Sequence, residues 1–238
     1  MRRAGLGRLY AELLGRYGPQ GWWPIPSRAG SVGFDDRGYH QGAYDEPRSV
    51  RDRFEVIVGA VLTQNTAWRN VESALSNLRQ NSISLPRHIG ALSGEKLGGL
   101  IRPSGYFNQK AKKLRIVADF FEGCDSLESG IAPAREDLLG LWGVGPETAD
   151  AILLYVFREP LFVVDAYTRR LLGRMGFIAG SEGYSAVQGM FHAALPHDPE
   201  QFSEYHALIV EHAKRHCRAR PQCAQCPVSR CRARDRTT

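Results

Sequence analysis

Apolar residues in this chain recur at helical spacing and almost nowhere alternate as a half-buried strand requires, which restricts the fold to an all-α one. Phe54, Ile57, Val58, Val61 and Leu62 fall at i, i+3, i+4, i+7 and i+8. Trp68, Val71, Leu75 and Leu78 resume the stripe after a polar break at 63–67. Leu114, Val117, Ala118 and Phe121 form a third stripe, and Ala149, Ile152, Leu153, Val156 and Phe157 a fourth. Leu171, Leu172 and Met175 make a fifth, and Phe202, Tyr205 and Ile209 mark a last helix running into Cys217. Residues 18–48, rich in Gly, Pro and polar side chains, predict a long connection. Ser49, with Asp52 three positions on, reads as the N-cap that ends it.

The 238 residues suffice for one large domain or two small ones. No stretch approaches the ~18 to 20 uninterrupted apolar residues of a membrane span. No long apolar run follows Met1-Arg2-Arg3, so the expectation is a cytoplasmic protein without a secretory leader. The formal charge is +6, yet between Lys214 and Thr238 eight Lys and Arg side chains face only Asp235. The basic character is thus concentrated in the tail. Such a segment suits a phosphate backbone, whose counterions it displaces; a solubilising tail is the plainer alternative.

The stretch LWGVGPETADAILLY, residues 141–155, puts Gly143-Val144-Gly145 between two apolar helical runs. Both glycines are expected to take backbone angles that a Cβ forbids. Pro146 suits the first turn of the next helix, where its missing N–H costs nothing. A tight helix–hairpin–helix results, whose exposed N–H groups and positive helix end could seat a phosphate. A plain helix–helix turn would use the same residues. In PLFVVDAYTRR, residues 160–170, Asp165 follows four apolar residues. It is either a partly desolvated catalytic carboxylate or the N-cap of the next helix.

Cys217, Cys223, Cys226 and Cys231 have the spacing C-x5-C-x2-C-x4-C, with Pro221 and Pro227 stiffening the loops. Four thiols this close, in a chain without a secretion signal, argue for a metal site over disulfides. Zinc and an iron–sulfur cluster both remain open, with the single CxxC pair favouring the cluster. Cys124 stands alone and reads as a free, at least half-buried thiol.

Together these segments resemble the endonuclease III family of base-excision DNA glycosylases, over nearly the whole chain. LWGVGPETADAILLY looks like the family hairpin, and VVDAYTRRLL like the segment bearing its essential aspartate, which gives that role to Asp165. VLTQNT, residues 61–66, is similar to the segment whose glutamine fills the gap left by a flipped base, here Gln64. SGYFNQKAKKL, residues 104–114, resembles the loop that wedges the opposite strand, with Tyr106 in the wedge position. HALIVEHAKRHC leads into the four cysteines as in members that carry a [4Fe–4S] centre. The resemblance implies a two-lobed α fold. One lobe would be a six-helix barrel over 49–160; the other, 1–48 with 161–238, would hold the cluster. A monomer would bind double-stranded DNA containing a damaged base across the cleft, nucleoid-associated in a bacterium. The hairpin residues Gly143, Gly145 and Thr148 would contact the DNA.

Glu147 occupies the position where bifunctional members carry a lysine that attacks the sugar. A carboxylate cannot form an imine. The resemblance therefore implies a monofunctional glycosylase in which Asp165 acts with water. GWWPIP, residues 21–26, and Phe54 look like the aromatic pocket of the family's 3-methyladenine branch. Trp22, Trp23, Phe54 and Glu147 are the expected base-pocket residues, and an alkylated base the expected substrate. Two core tryptophans would explain the same motif. Two rival functions are an oxidised-pyrimidine glycosylase with weak lyase chemistry from another lysine, nearest Lys110, and a non-catalytic damage binder. A zinc-dependent nucleic-acid binder outside repair is a third.

Overall fold

The computed structural model describes residues 2–229 and 231–233. Arg230, Arg234 and Arg236 of the basic tail lie outside the described residues. In chain order the helices are α1 Arg2–Tyr17, α2 Val50–Leu62, α3 Trp68–Gln80, α4 Pro86–Gly90, α5 Gly94–Leu100 and α6 Phe107–Glu122. They continue as α7 Ser126–Ser129, α8 Arg135–Gly140, α9 Pro146–Phe157, α10 Ala166–Met175, α11 Tyr184–Ala194 and α12 Pro199–Arg215. No strand occurs among the described residues. The chain divides into two compact units, residues 23–159 and residues 1–22 with 160–238.

In the 23–159 unit, α2 and α9 pack on each other and are buried nearly all round, as central helices are. Ser49 Oγ accepts the Asp52 N–H at 3.1 Å and sets the start of α2. The buried face of α6, including Leu114, Val117, Ala118 and Phe121, receives α4 and α5. The first unit boundary falls between Trp22 and Trp23, not at Ser49. The reason lies in how residues 23–48 are held. Trp23 is 5% exposed, with its ring edge-on to Trp68 and Tyr155, both at 5.3 Å. Its indole reaches α2 where Gly59 leaves room: a Cβ there would stand 3.0 Å from Trp23 Nε1. Arg28 pairs with buried Asp52 at 3.2 Å, and Arg79 donates to the Pro26 carbonyl at 2.7 Å. A connection free of α-helix is thus bound to the helices by aromatic packing and charge.

In the other unit, α1 packs on α11 and α12, and α10 on α12. Phe162 stacks on Phe191 at 3.6 Å and meets Phe202 and Tyr205 edge-on. The Tyr205 hydroxyl donates to the Leu6 carbonyl at 2.9 Å, tying α12 to α1 inside this core.

Candidate active site and nucleic-acid interface

Residues 160–164 belong to no helix or strand, so their buried backbone groups need other partners. One face of α11 supplies them. Tyr184, Gln188 and His192 are four residues apart and therefore line up along the helix. Tyr184 Oη accepts the Val164 N–H at 3.3 Å, Gln188 Nε2 donates to the Phe162 carbonyl at 2.9 Å, and His192 Nε2 accepts the Phe162 N–H at 3.0 Å. This clamp delivers the chain to Asp165, whose side chain is 13% exposed. Asp165 is the N-cap of α10, with Oδ1 accepting the Thr168 N–H at 2.7 Å. His206 of α12 sets Nε2 3.6 Å from Oδ2. Burial pushes the Asp165 carboxyl up, but His206 and the Thr168 donor outweigh it and hold the group below the ordinary carboxylate value. Asp165 therefore caps the helix and also remains an anion in a mostly dry place. Trp22, half-buried, lies edge-on to His206 at 6.4 Å, and the Lys214 ammonium sits 5.4 Å from its ring centre.

The hairpin is built between α8 and α9. Gly143 has φ +86°, the left-handed region that favours glycine. A Cβ there would also stand 2.6–2.8 Å from the Lys113 side-chain carbons. Gly145 corrects the expectation for the pair. As N-cap of α9 it is extended, φ −96° and ψ 177°, with open space where a Cβ would go, so nothing in its conformation demands glycine. Pro146 opens α9, with exposed Glu147 in the first turn. Gly143→Ala should cost about 1–3 kcal/mol from backbone strain. Denaturant melts check this, and wild-type stability in the variant would mean that the hairpin relaxes around the methyl.

The segments expected to meet DNA are joined by two lysines. Gln64 Nε2 donates to the Gly143 carbonyl at 3.2 Å and to Thr148 Oγ1 at 2.9 Å, while the Lys113 ammonium donates to Gln64 Oε1. Lys110, 2% exposed, gives its ammonium to the Leu62 carbonyl at 2.8 Å and the Ser104 carbonyl at 2.7 Å. It thereby binds the end of α2, just before Gln64, to the turn just before Tyr106. Tyr106 is 70% exposed and left-handed, φ 47° and ψ 33°. A bulky residue held in that region and pushed into solvent stores strain of the kind found at ligand-contacting sites. Trp142, 49% exposed and carrying the Lys112 ammonium 4.4 Å from its ring centre, adds an aromatic face to the hairpin. The sequence signal for it was an aromatic residue just before the hairpin glycine.

Lys110 has two carbonyls to hold and no exposed amine to offer a sugar. Burial, reinforced by Lys113, lowers its pKa to about 8. Between about 8 and the unfolded value the unfolded chain binds more protons, so this group adds stability as pH rises through that window. Lys110→Met should strand the two carbonyls, at about 1–3 kcal/mol each, and flatten that part of the stability–pH curve. Melts between pH 7 and 10 read both effects, and an unchanged slope would reject the linkage.

Phe54 is 2% exposed and lines a cavity of about 660 Å³ within the 23–159 unit, with Arg28, Glu55, Leu75, Leu78 and His88 among its walls. Trp23 works as a core residue there. Of the tryptophan pair, Trp22 alone keeps a partly exposed ring.

The four cysteines are all free thiols. Burial raises the Cys226 thiol, and Cys231, Cys223 and Cys217 raise it further, which places all four sulfurs within electrostatic reach. Arg174 of α10 organises their loop. It donates to Cys217 Sγ at 3.2 Å, to the Arg218 carbonyl at 2.5 Å and to the Ala219 carbonyl at 2.8 Å, and its own carbonyl accepts the Ala233 N–H. Among the described residues, no three His, Cys, Asp or Glu side chains are arranged to hold a single metal ion.

A profile of the HhH-GPD superfamily of base excision DNA repair proteins matches residues 58–196, including the hairpin and Asp165. The chain belongs to that superfamily. A Methanocaldococcus jannaschii protein, named only provisionally as a DNA repair glycosylase, is 39% identical over 93% of this chain and 92% of its own length. The structure of the H. pylori 3-methyladenine DNA glycosylase MagIII bound to 1,N6-ethenoadenine is 29% identical, with TM-score 0.67 over 90% of this chain and 97% of that one. An endonuclease III in non-covalent complex with DNA is 20% identical and matches as a fold, with TM-score 0.76 over 99% and 97%. As an HhH-GPD protein the chain is a DNA N-glycosylase, and its helices have the fold of endonuclease III. No described helix is long and apolar enough to cross a membrane.

Proposed function

We propose that this HhH-GPD protein is a monofunctional N-glycosylase that hydrolyses an alkylated base from DNA, with Asp165 as its catalytic carboxylate. Two observations carry the reading: Asp165 is a nearly buried carboxylate capping α10 with His206 3.6 Å from Oδ2, and the sequence has a carboxylate, Glu147, at the hairpin position where lyase-active relatives have an amine. Breaking an N-glycosidic bond builds positive charge on the sugar. A fixed anion stabilises that charge and orients or deprotonates the attacking water. Its Oδ1 is committed to the α10 cap, and Oδ2 is the oxygen left to face the reaction alongside His206.

Trp22 offers a flat, partly exposed aromatic face, suited to an electron-poor alkylated purine turned out of the helix. The relative bound to 1,N6-ethenoadenine supports the same substrate class. Gln64 and Tyr106 are the side chains that would fill the stack and wedge the opposite strand, with Gly143, Gly145 and Thr148 contacting the backbone. Cys217, Cys223, Cys226 and Cys231 are the residues that would hold a [4Fe–4S] cluster, and the Arg174 N–H on Cys217 Sγ is a donor of the kind that tunes such sulfurs. When bound, the cluster would cross-link the 217–231 loop and supply a redox-active centre.

Mass spectrometry of free bases released from methylated and from oxidised duplex DNA tests the proposal. Release of alkylated purines with intact abasic strands is expected. Oxidised pyrimidines with nicked strands would replace it by the lyase reading, and no release from any lesion by the damage-binder reading.

A further inference from the structure

Asp165 does not stand alone in its unit. The N-cap bond occupies Oδ1 from within α10, and α12 brings His206 to Oδ2, 3.6 Å away and 4% exposed. Position 206 lies on α12 among Phe202, Tyr205, Ala207, Leu208 and Ile209, all fully buried. An imidazole on such a face is costly unless it has polar work to do. The other charged groups of α10 are engaged elsewhere: Arg169 donates to the Glu182 carbonyl at 2.8 Å, Arg170 to the Cys217 carbonyl at 2.7 Å and Arg174 to Cys217 Sγ at 3.2 Å. On the packed α12 face, the titratable group aimed at Asp165 is His206, with the Trp22 ring at right angles to it.

We infer that His206 is a positioning residue for base release, fixing the Oδ2 edge of Asp165 and keeping that carboxylate charged at the reacting sugar. The inference rests on the catalytic reading of Asp165. With a proton on Nε2, His206 presents a positive N–H edge to Oδ2 at 3.6 Å. It thus adds an electrostatic contact on Oδ2 to the Thr168 hydrogen bond on Oδ1. Partners from two helices, one on each oxygen, restrict the rotation of the anion before DNA arrives. The same N–H edge lowers the proton affinity of the oxygen that must stay bare.

The test is single-turnover base release at saturating DNA across pH, with Asp165→Asn, His206→Ala and His206→Gln beside wild type. The acid limb of the wild-type profile reports protonation of the carboxylate. In His206→Ala it is expected to move up by about one pH unit, with a lower plateau and unchanged affinity for lesion DNA. His206→Gln, which restores a non-titrating N–H, is expected to recover most of the plateau, with its limb between the other two. A folded His206→Ala with the wild-type limb and plateau overturns the inference. Should that variant fail to fold, His206→Gln carries the test alone, and a limb unmoved from wild type overturns it. Full activity in Asp165→Asn would instead remove the catalytic reading itself, so the two failures are told apart.

Discussion

Asp165→Asn is expected to lose base release by about a hundred- to ten-thousand-fold, the range by which a positioned acid or base accelerates such a step, while binding lesion DNA nearly as wild type does. The amide keeps the shape of the side chain, and its oxygen can still accept the Thr168 N–H that caps α10. The helix should therefore start where it does now, and what disappears is the negative charge opposite the developing cation. This separates the two roles that the sequence leaves superimposed on one residue. A plain N-cap would give a small stability change, about 0.5–2 kcal/mol for the related loss to Ala, with activity intact. A catalytic carboxylate gives the reverse. Gel-shift affinity, a thermal melt and a single-turnover rate on one preparation distinguish them.

Glu147→Lys is expected to give the enzyme a lyase reaction that the proposed function denies to wild type. Residue 147 is exposed in the first turn of α9, directly after the hairpin, and under the proposed function it stands where a lyase would carry its amine. Wild type should yield no covalent adduct with abasic DNA under borohydride, because a carboxylate forms no imine. The lysine variant should give a reducible cross-link and strand nicking. The substitution also removes an acidic group that favours a helix N-terminus by about 0.3–1 kcal/mol, so a slightly lower melting point should accompany the gain. A robust wild-type cross-link would mean that another amine is in play. Lys110 is a poor source of one, since its ammonium is buried under two carbonyls.

Much of the helical frame could be read from spacing alone. The stripe at Phe54, Ile57, Val58, Val61 and Leu62 is buried as α2, and Ser49 caps it by the bond that its side chain suggested. α1 was missed although Leu6, Leu9 and Leu13 are spaced as a helix face and almost wholly buried, because Gly and Arg between them dilute the pattern. α11 was missed for a different reason. Its apolar contribution is little more than Val187 and Phe191, and its main work is polar, through Tyr184, Gln188 and His192 clamping the segment before Asp165. Hydrophobic periodicity has no term for a helix that substitutes for a missing strand. The 23–48 connection gives no hint of its unit, because one aromatic ring in the notch at Gly59 does what a helical stripe would do. Gly143 and Gly145 look equivalent on paper, and only the torsion angles separate them. His206 is invisible as a functional residue until folding places α12 against α10.

α10 has Asp165 at its head and Arg174 near its foot, where the guanidinium holds both the Cys217 sulfur and the carbonyls that follow. Ten residues at about 1.5 Å each make a rod about 15 Å long. A rod that short, packed along α12, transmits a tilt with little bending. The capped carboxylate and the guanidinium that holds the Cys217 loop therefore share one helix as their support, and the distance between them is set by its length alone.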